Sequence, residues 1–148
     1  MDDVTIARAV HILAVVHWIG GLWFVTSIIL PAALALSDPA RQLGLFHEVA
    51  RRFSAQVRIS VPVAGLSGFY MAWKLDAWSR FVDPAAWWLP AMLLLWLLFM
   101  VVLFVVEPVL GKSVLSRLGV VQATHRVLLS LAAVVVGGAV LGAHGVLG

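Results

Sequence analysis

Polar positions along this chain come in clusters, and the runs between them are almost unbroken hydrocarbon. The first run extends from about Val4 to Leu36 and closes on Ser37-Asp38-Pro39. The second, from about Arg41 to Leu75, begins as the basic amphipathic stretch QLGLFHEVARRFSAQVR and continues as the apolar VPVAGLSGFYMAW. The third runs from about Ala86 to Leu110 and the fourth from about Leu118 to Leu147. Each exceeds the roughly 18 residues that mark a membrane-spanning segment. None alternates in polarity as the strands of a barrel do, and in lipid a helix is the other way to satisfy every backbone group. The pattern predicts four helices, about 4–36, 41–75, 86–110 and 118–147. Pro62 should kink the second. Pro90 falls in the first turn or two of the third, where proline is tolerated. Short connections make neighbouring helices antiparallel. The expected fold is all-α, an integral membrane antiparallel four-helix bundle, with residues 1–148 as a single transmembrane domain.

Composition sharpens this picture. With 63% of its 148 residues hydrophobic and 11% charged, the chain has no room for a second, soluble domain. The formal net charge of +3 does not point to nucleic acid, because the basic residues sit in short connections between spans. There is no cysteine, which excludes disulfides, thiolate catalysis and iron–sulfur clusters. The segment MDDVTIARAV opens on acids, unlike a signal peptide, so the first span is expected to stay in the mature protein. Arg41, Arg51, Arg52, Arg58, Lys112, Arg117 and Arg126 gather around the first and third connections. Arg8, Lys74 and Arg80 lie at the other end. That asymmetry predicts a multi-pass protein of the bacterial cytoplasmic (inner) membrane with both termini outside. Trp73, Trp78, Trp87 and Trp88 around the second connection read as an interfacial aromatic belt.

The candidate chemistry lies in five histidines: His11, His17, His47, His125 and His144. Counted down antiparallel helices from the outer end, His144 lies roughly 5 Å deep, His11 roughly 10 Å and His17 roughly 20 Å. His11 and His144 would form an outer layer on the two terminal helices; His125, with His47, an inner one. A polar ring at membrane depth costs energy without a partner and is a functional-site candidate by default. Haem iron fits this chemistry. Neutral imidazole is an axial ligand that needs no thiolate and adds no charge to the lipid. Gly20 and Gly21, and Gly137, Gly138, Gly142 and Gly145 beside His144, would let a macrocycle approach the backbone. Arg126, Arg58 and Arg8 stand near bundle ends, where propionates need cations.

Plainer readings stand beside these. Gly138-x-x-x-Gly142 is first of all a helix-packing motif, and a glycine stripe could also serve a homo-dimer. His47, beside Glu48 and Arg51, reads as a solvated interfacial residue. His125 could cap or face the surface, and His17 could hydrogen-bond a neighbouring helix. Glu107 before Pro108 reads as interfacial. Copper would accept imidazole and thioether, but Met1, Met71, Met92 and Met100 form no cluster. Nothing matches His-Glu-x-x-His, a phosphate loop or a Ser/His/Asp set, so a hydrolase is not expected.

The stretch AVHILAVVHWIGGL, with His11, Trp18 seven residues on and Gly20-Gly21, resembles the first helix of the CopD-like membrane domains and the related HemJ-type protoporphyrinogen oxidases. Weaker similarity continues through Arg51-Arg52-Phe53, the Pro62 to Gly65/Gly68 region, the third helix after Trp88, and His125-Arg126-Val127-Leu128. The resemblance implies a four-helix membrane unit in which His11 binds haem b. HemJ-type proteins carry a lysine early in the third helix, where this chain has Ala91 or Met92. CopD-like domains are associated with copper handling, and the methionine-rich loops suited to that are missing here. His17 stands where the family is ordinarily apolar.

The expected function is that of a membrane b-type cytochrome transferring electrons within the bilayer. One haem b would sit between His11 and His144, with His17 as substitute ligand; a second could use His125, with Arg126 near its propionates. Quinol or a redox partner protein would exchange electrons with it, making the chain a possible membrane oxidoreductase. The alternatives are a HemJ-like oxidase, a copper-handling membrane protein, and a non-catalytic subunit of a membrane complex.

Overall fold

The computed structural model describes residues 2–109 and 117–146, which are helical with no strand among them. Four long helices carry the described chain: α1 (Asp3–Leu34), α2 (Pro39–Lys74), α3 (Trp88–Val109) and α4 (Leu118–Ala143). Two short 3-10 turns, Ala77–Val82 and Pro84–Ala86, lead from α2 to α3. Lys112 and the expected helix ends at 110 and 147 lie outside the described residues.

The helix boundaries follow from local chemistry. The Asp2 carboxylate accepts from Val4 N–H and caps α1. Asp38 accepts from Ala40 N–H, and Pro39 occupies the first helical position, where its missing N–H costs nothing. Asp38-Pro39, read from the sequence as the close of α1, is thus the opening of α2. The last helix ends at Ala143. Gly145 adopts φ +70°, Val146 N–H reaches the Leu141 carbonyl (3.0 Å) and Gly145 N–H reaches Gly142 (3.1 Å), which together form a Schellman stop. His144 is therefore the cap residue of α4, not a residue inside it.

Proline shapes α1 and α3 in the same way. Each contains a π-helical turn, Val25–Ile29 before Pro31 and Val102–Val106 before Pro108. Proline lacks an N–H, and its ring crowds the carbonyl four residues back, so the preceding turn widens to i→i+5 pairing. α2 continues through Pro62 as one helix.

Among the described residues three helices, not four, are long and apolar enough to cross a bilayer: α1, α3 and α4. In α2 the uncharged stretch between Arg58 and Lys74 covers residues 59–73. At about 1.5 Å per residue it reaches only ~22 Å of the roughly 30 Å hydrocarbon core. Glu48, Arg51, Arg52 and Arg58 make the rest of α2 too polar to add to it.

Contacts fix the register. Along α1 and α2, Asp3 meets Lys74 (2.8 Å), His11 meets Ala64 and Ser67, and His17 meets Gln56, so these helices run in opposite directions. Along α2 and α3, Ser54 meets Glu107 and the Val61 carbonyl accepts from Trp96 Nε1 (2.9 Å), again reversing direction. Trp87 and Trp88, where α3 begins, cover Gly138 and Gly142 near the end of α4. The core draws on every helix. Ala14, Trp18 and Leu22 meet Val57, Val61 and Ala64, Leu95, Phe99 and Leu103, and Leu128 and Ala132. Their spacing of three and four residues marks one inward stripe per helix. Trp18 packs edge-on against Phe99 at 4.7 Å. The opposite faces stay apolar yet exposed, as at Leu13, Ile59 and Leu66 (68–70% exposed). Water does not favour that outer surface; acyl chains do.

The tryptophans at the start of α3 thus do more than line an interface, since Trp88 is only 6% exposed. A Cβ on Gly142 would overlap the Trp88 ring, whereas one on Gly137 would meet nothing within 4 Å. Gly142→Ala should cost about 1–3 kcal/mol through overpacking. Gly137→Ala should be neutral or slightly stabilising. Thermal unfolding of the two variants in the same detergent checks this; equal midpoints would show that the Trp88 contact contributes nothing.

Candidate functional site

The histidines are placed by three helices. His11, half-buried on α1, faces α2. Its Nδ1–H donates to the Ala64 carbonyl at 2.8 Å and lies 3.2 Å from Ser67 Oγ. Ser67 Oγ in turn donates to the Val63 carbonyl at 2.7 Å, which leaves its oxygen free to accept. Gly68 leaves room for the ring, because a Cβ there would stand 3.3 Å from His11 Cε1. His125 on α4 is half-buried, and its Nδ1–H donates to the Val121 carbonyl of its own helix at 2.9 Å. His144, exposed at the cap of α4, donates from Nδ1 to the Val140 carbonyl at 2.7 Å.

These three bonds decide a tautomer. A backbone carbonyl only accepts, so each Nδ1 carries a proton, and in the neutral ring Nε2 keeps its lone pair. That is the arrangement of a metal-ligating imidazole, whose second nitrogen is held by a carbonyl or carboxylate.

The chain matches no protein-family model, no curated protein and no solved structure.

His11 and His144 stand at different levels. His11 lies beside Ala64–Gly68, and Gly65 packs on Trp96. His144 lies beyond Gly142, which packs on Trp88. Trp88 and Trp96 are eight residues apart on α3, about 12 Å along the axis. The expected outer layer is thus split between one ring against α2 and one at the helix cap. His17 is exposed on α1 and bonds Gln56 Oε1 through Nε2 at 3.2 Å. His47 is exposed and tilted against the Phe46 ring. Phe46 itself packs with Leu118 and Val121, one turn from His125. Arg8 and Arg126 are exposed. Among the described residues no three His, Asp or Glu side chains gather where they could hold a bare metal ion.

Other polar groups gather along α2, and of these Ser54, Gln56, Ser60 and Ser67 do not stand out in the sequence. Glu107 accepts from the buried Ser54 hydroxyl at 2.6 and 2.7 Å, with an Arg58 nitrogen 3.6 Å away. Ser60 Oγ and Trp18 Nε1 are buried without a partner. Arg52, Gln56, Ser60, Ala64 and Gly68 recur every four residues on α2. That i, i+4 stripe of polar and small side chains was the available signal that one face of α2 meets something other than plain hydrocarbon. At the polar end of α2, the Arg51 and Arg52 guanidiniums hold the Glu48 carboxyl below the usual carboxylate range.

Proposed function

We propose that this chain is a b-type cytochrome of the bacterial cytoplasmic membrane, an antiparallel four-helix bundle that binds haem b through His11 and carries electrons within the bilayer. The observation that supports it most directly is the His11 ring. It is half-buried in an apolar helix, its Nδ1–H is tied to the Ala64 carbonyl, and its Nε2 is left with a lone pair. An imidazole so fixed has already lost its rotational freedom and presents one donor atom, which is what an axial ligand requires. When bound, haem b supplies a one-electron iron couple. The chain's part is to hold the iron through His11, to orient that ring through Ala64 and Ser67, and to keep water out with the Trp18, Phe99 and Leu95 core.

The ligand set this reading rests on is His11. His144 belongs to another level, and His125, set in the same tautomer, is the candidate for a second haem near Arg126. Arg58 and Lys74, at the two ends of the apolar part of α2, pair with Glu107 and Asp3. Those pairs let the short apolar stretch of α2 act as the fourth span, since long basic side chains reach toward the interface. Phe46 and Leu118 share a cluster, which puts the arginine-rich ends of α2 and α4 on one side. That side is the cytoplasmic one by its charge, leaving both termini outside.

A reduced-minus-oxidised spectrum with haem-to-protein stoichiometry tests the proposal. Protein made with ample haem should show a Soret band and at least one haem per chain. A colourless, well-folded preparation overturns it.

A further inference from the structure

A groove runs along the outer face of α1 and α2, and its polar centre is unexplained by haem ligation. It has two lobes of about 430 and 470 Å³ that share His17 and Gln56. One lobe leads past Gly21, Phe24 and Phe53 toward Arg52 at the basic end of α2. The other leads past Val10, Leu13, Ile59 and Val63 toward the apolar middle, and Ser60 lines it. From this groove we infer a binding site for the head group of a membrane quinone.

Three observations carry the inference. First, His17 is exposed on the outward face of α1 among apolar side chains, and Gln56 stands opposite it just before the apolar stretch of α2 begins. Polar groups facing lipid are costly unless something pairs with them. Second, the His17–Gln56 bond spends only part of their capacity. Whichever way the amide is turned, at least one donor and one acceptor remain free between the imidazole and the carboxamide. A quinone carbonyl accepts and a quinol hydroxyl donates, so the centre suits both redox forms. Third, Ser60 is 9% exposed and its Oγ has no partner. Thr26, Ser67 and Ser130 all donate to the carbonyl four residues back, whereas Ser60 does not. An unspent hydroxyl therefore borders the lobe beside Gln56.

The shape fits an amphiphile with a flat neutral head and a long apolar tail. Each lobe is an open groove whose volume lies at the lower end of the range of small-molecule sites. The head would rest at His17 and Gln56, near the level of Arg58, and a prenyl tail would follow Val10, Leu13, Ile59 and Val63 into the hydrocarbon. A phospholipid head would need a cation, and Arg52, which lines the groove, is already paired with Glu48 at 2.7 Å. The choice of a quinone rests on the electron-carrying reading above; the groove itself does not.

The experiment is photolabelling of the purified full-length protein in phosphatidylcholine nanodiscs with an azido-ubiquinone analogue, followed by peptide mapping. Label should concentrate on residues 10–17 and 56–63. Decylubiquinone should compete for it and added phosphatidylglycerol should not. His17→Ala and Gln56→Ala should each weaken that competition by roughly 5- to 30-fold, the factor for one or two lost hydrogen bonds. Haem content of the Gln56→Ala protein, measured on the same sample, should stay unchanged. Label scattered over all four helices, competition by phosphatidylglycerol, or a dimer cross-linked at His17 with no quinone label would each overturn the site. Should either variant fail to elute as folded protein, the wild-type map decides alone. Haem-loaded protein that takes no label sinks the groove and spares the cytochrome; labelled protein without haem does the reverse.

Discussion

His11→Ala is expected to purify with its haem lost, while His144→Ala keeps it. Losing an outer-shell partner of a ligand already costs roughly 10- to 100-fold in affinity, so removing the ligand itself should lower haem occupancy by at least ~10-fold. The contrast follows from the register. His11 is held against α2 at Ala64, inside the packed region, whereas His144 caps α4 beside a left-handed glycine. Ser67→Ala should fall between the two. It removes one of the two groups near Nδ1 but leaves the 2.8 Å bond to the Ala64 carbonyl, so occupancy should drop a little with the spectrum intact. Pyridine-haemochrome titration of the three variants and the parent reads this directly. Full occupancy in His11→Ala would remove the ligand on which the cytochrome reading depends, and loss in His144→Ala would restore the pairing of the terminal helices.

The fold was legible where the physics is one-dimensional. Runs of apolar residues read as helices, and the described residues are helical with no strand among them. Boundaries set by a single special residue were harder. Gly145 reads in the sequence as one more small residue of a glycine-rich helix, yet its positive φ ends α4 and puts His144 outside it. Asp38-Pro39 reads equally well as a stop or a start, and its hydrogen bond to Ala40 N–H settles it as a start. The π turns of α1 and α3 leave no mark in composition; the trace they do leave is the proline that follows each. Position along each helix is readable by counting, but pairing across helices is not. Counting puts His144 and His11 in one outer layer, at roughly 5 and 10 Å, with α4 running on to Leu147; the packing of Trp88 on Gly142 is invisible in one dimension. Gln56 reads in the sequence as one more residue of a solvated basic face, and Ser60 and Ser67 read as small residues tolerated in an apolar helix. Their significance lies in which α1 side chain stands opposite.

Glu107→Ala should destabilise the protein measurably although Glu107 lies outside the packed core. Glu107 follows the π turn Val102–Val106, and that widened turn delivers its carboxylate to α2. There it accepts from Ser54, which is buried, and faces Arg58 across 3.6 Å. Truncation strands both: the hydroxyl loses its acceptor and the guanidinium its counter-charge at the edge of an apolar slab. A fully buried pair broken in this way costs about 3–5 kcal/mol. Here the side chains are 42% and 32% exposed, so solvent screening brings the expected loss to about 1–2 kcal/mol. For a chain of this size that corresponds to a fall of roughly 2–8 °C in unfolding midpoint. Glu107→Gln should lose less, since the amide oxygen still accepts from Ser54. The double variant Arg58→Met with Glu107→Gln should recover part of the loss, because no unpaired charge then remains. A double-mutant cycle in one detergent measures the coupling. Additive effects would mean that Arg58 is served by water or lipid instead. α2 would then lack the neutralised basic end that lets so short an apolar stretch lie among three full-length spans.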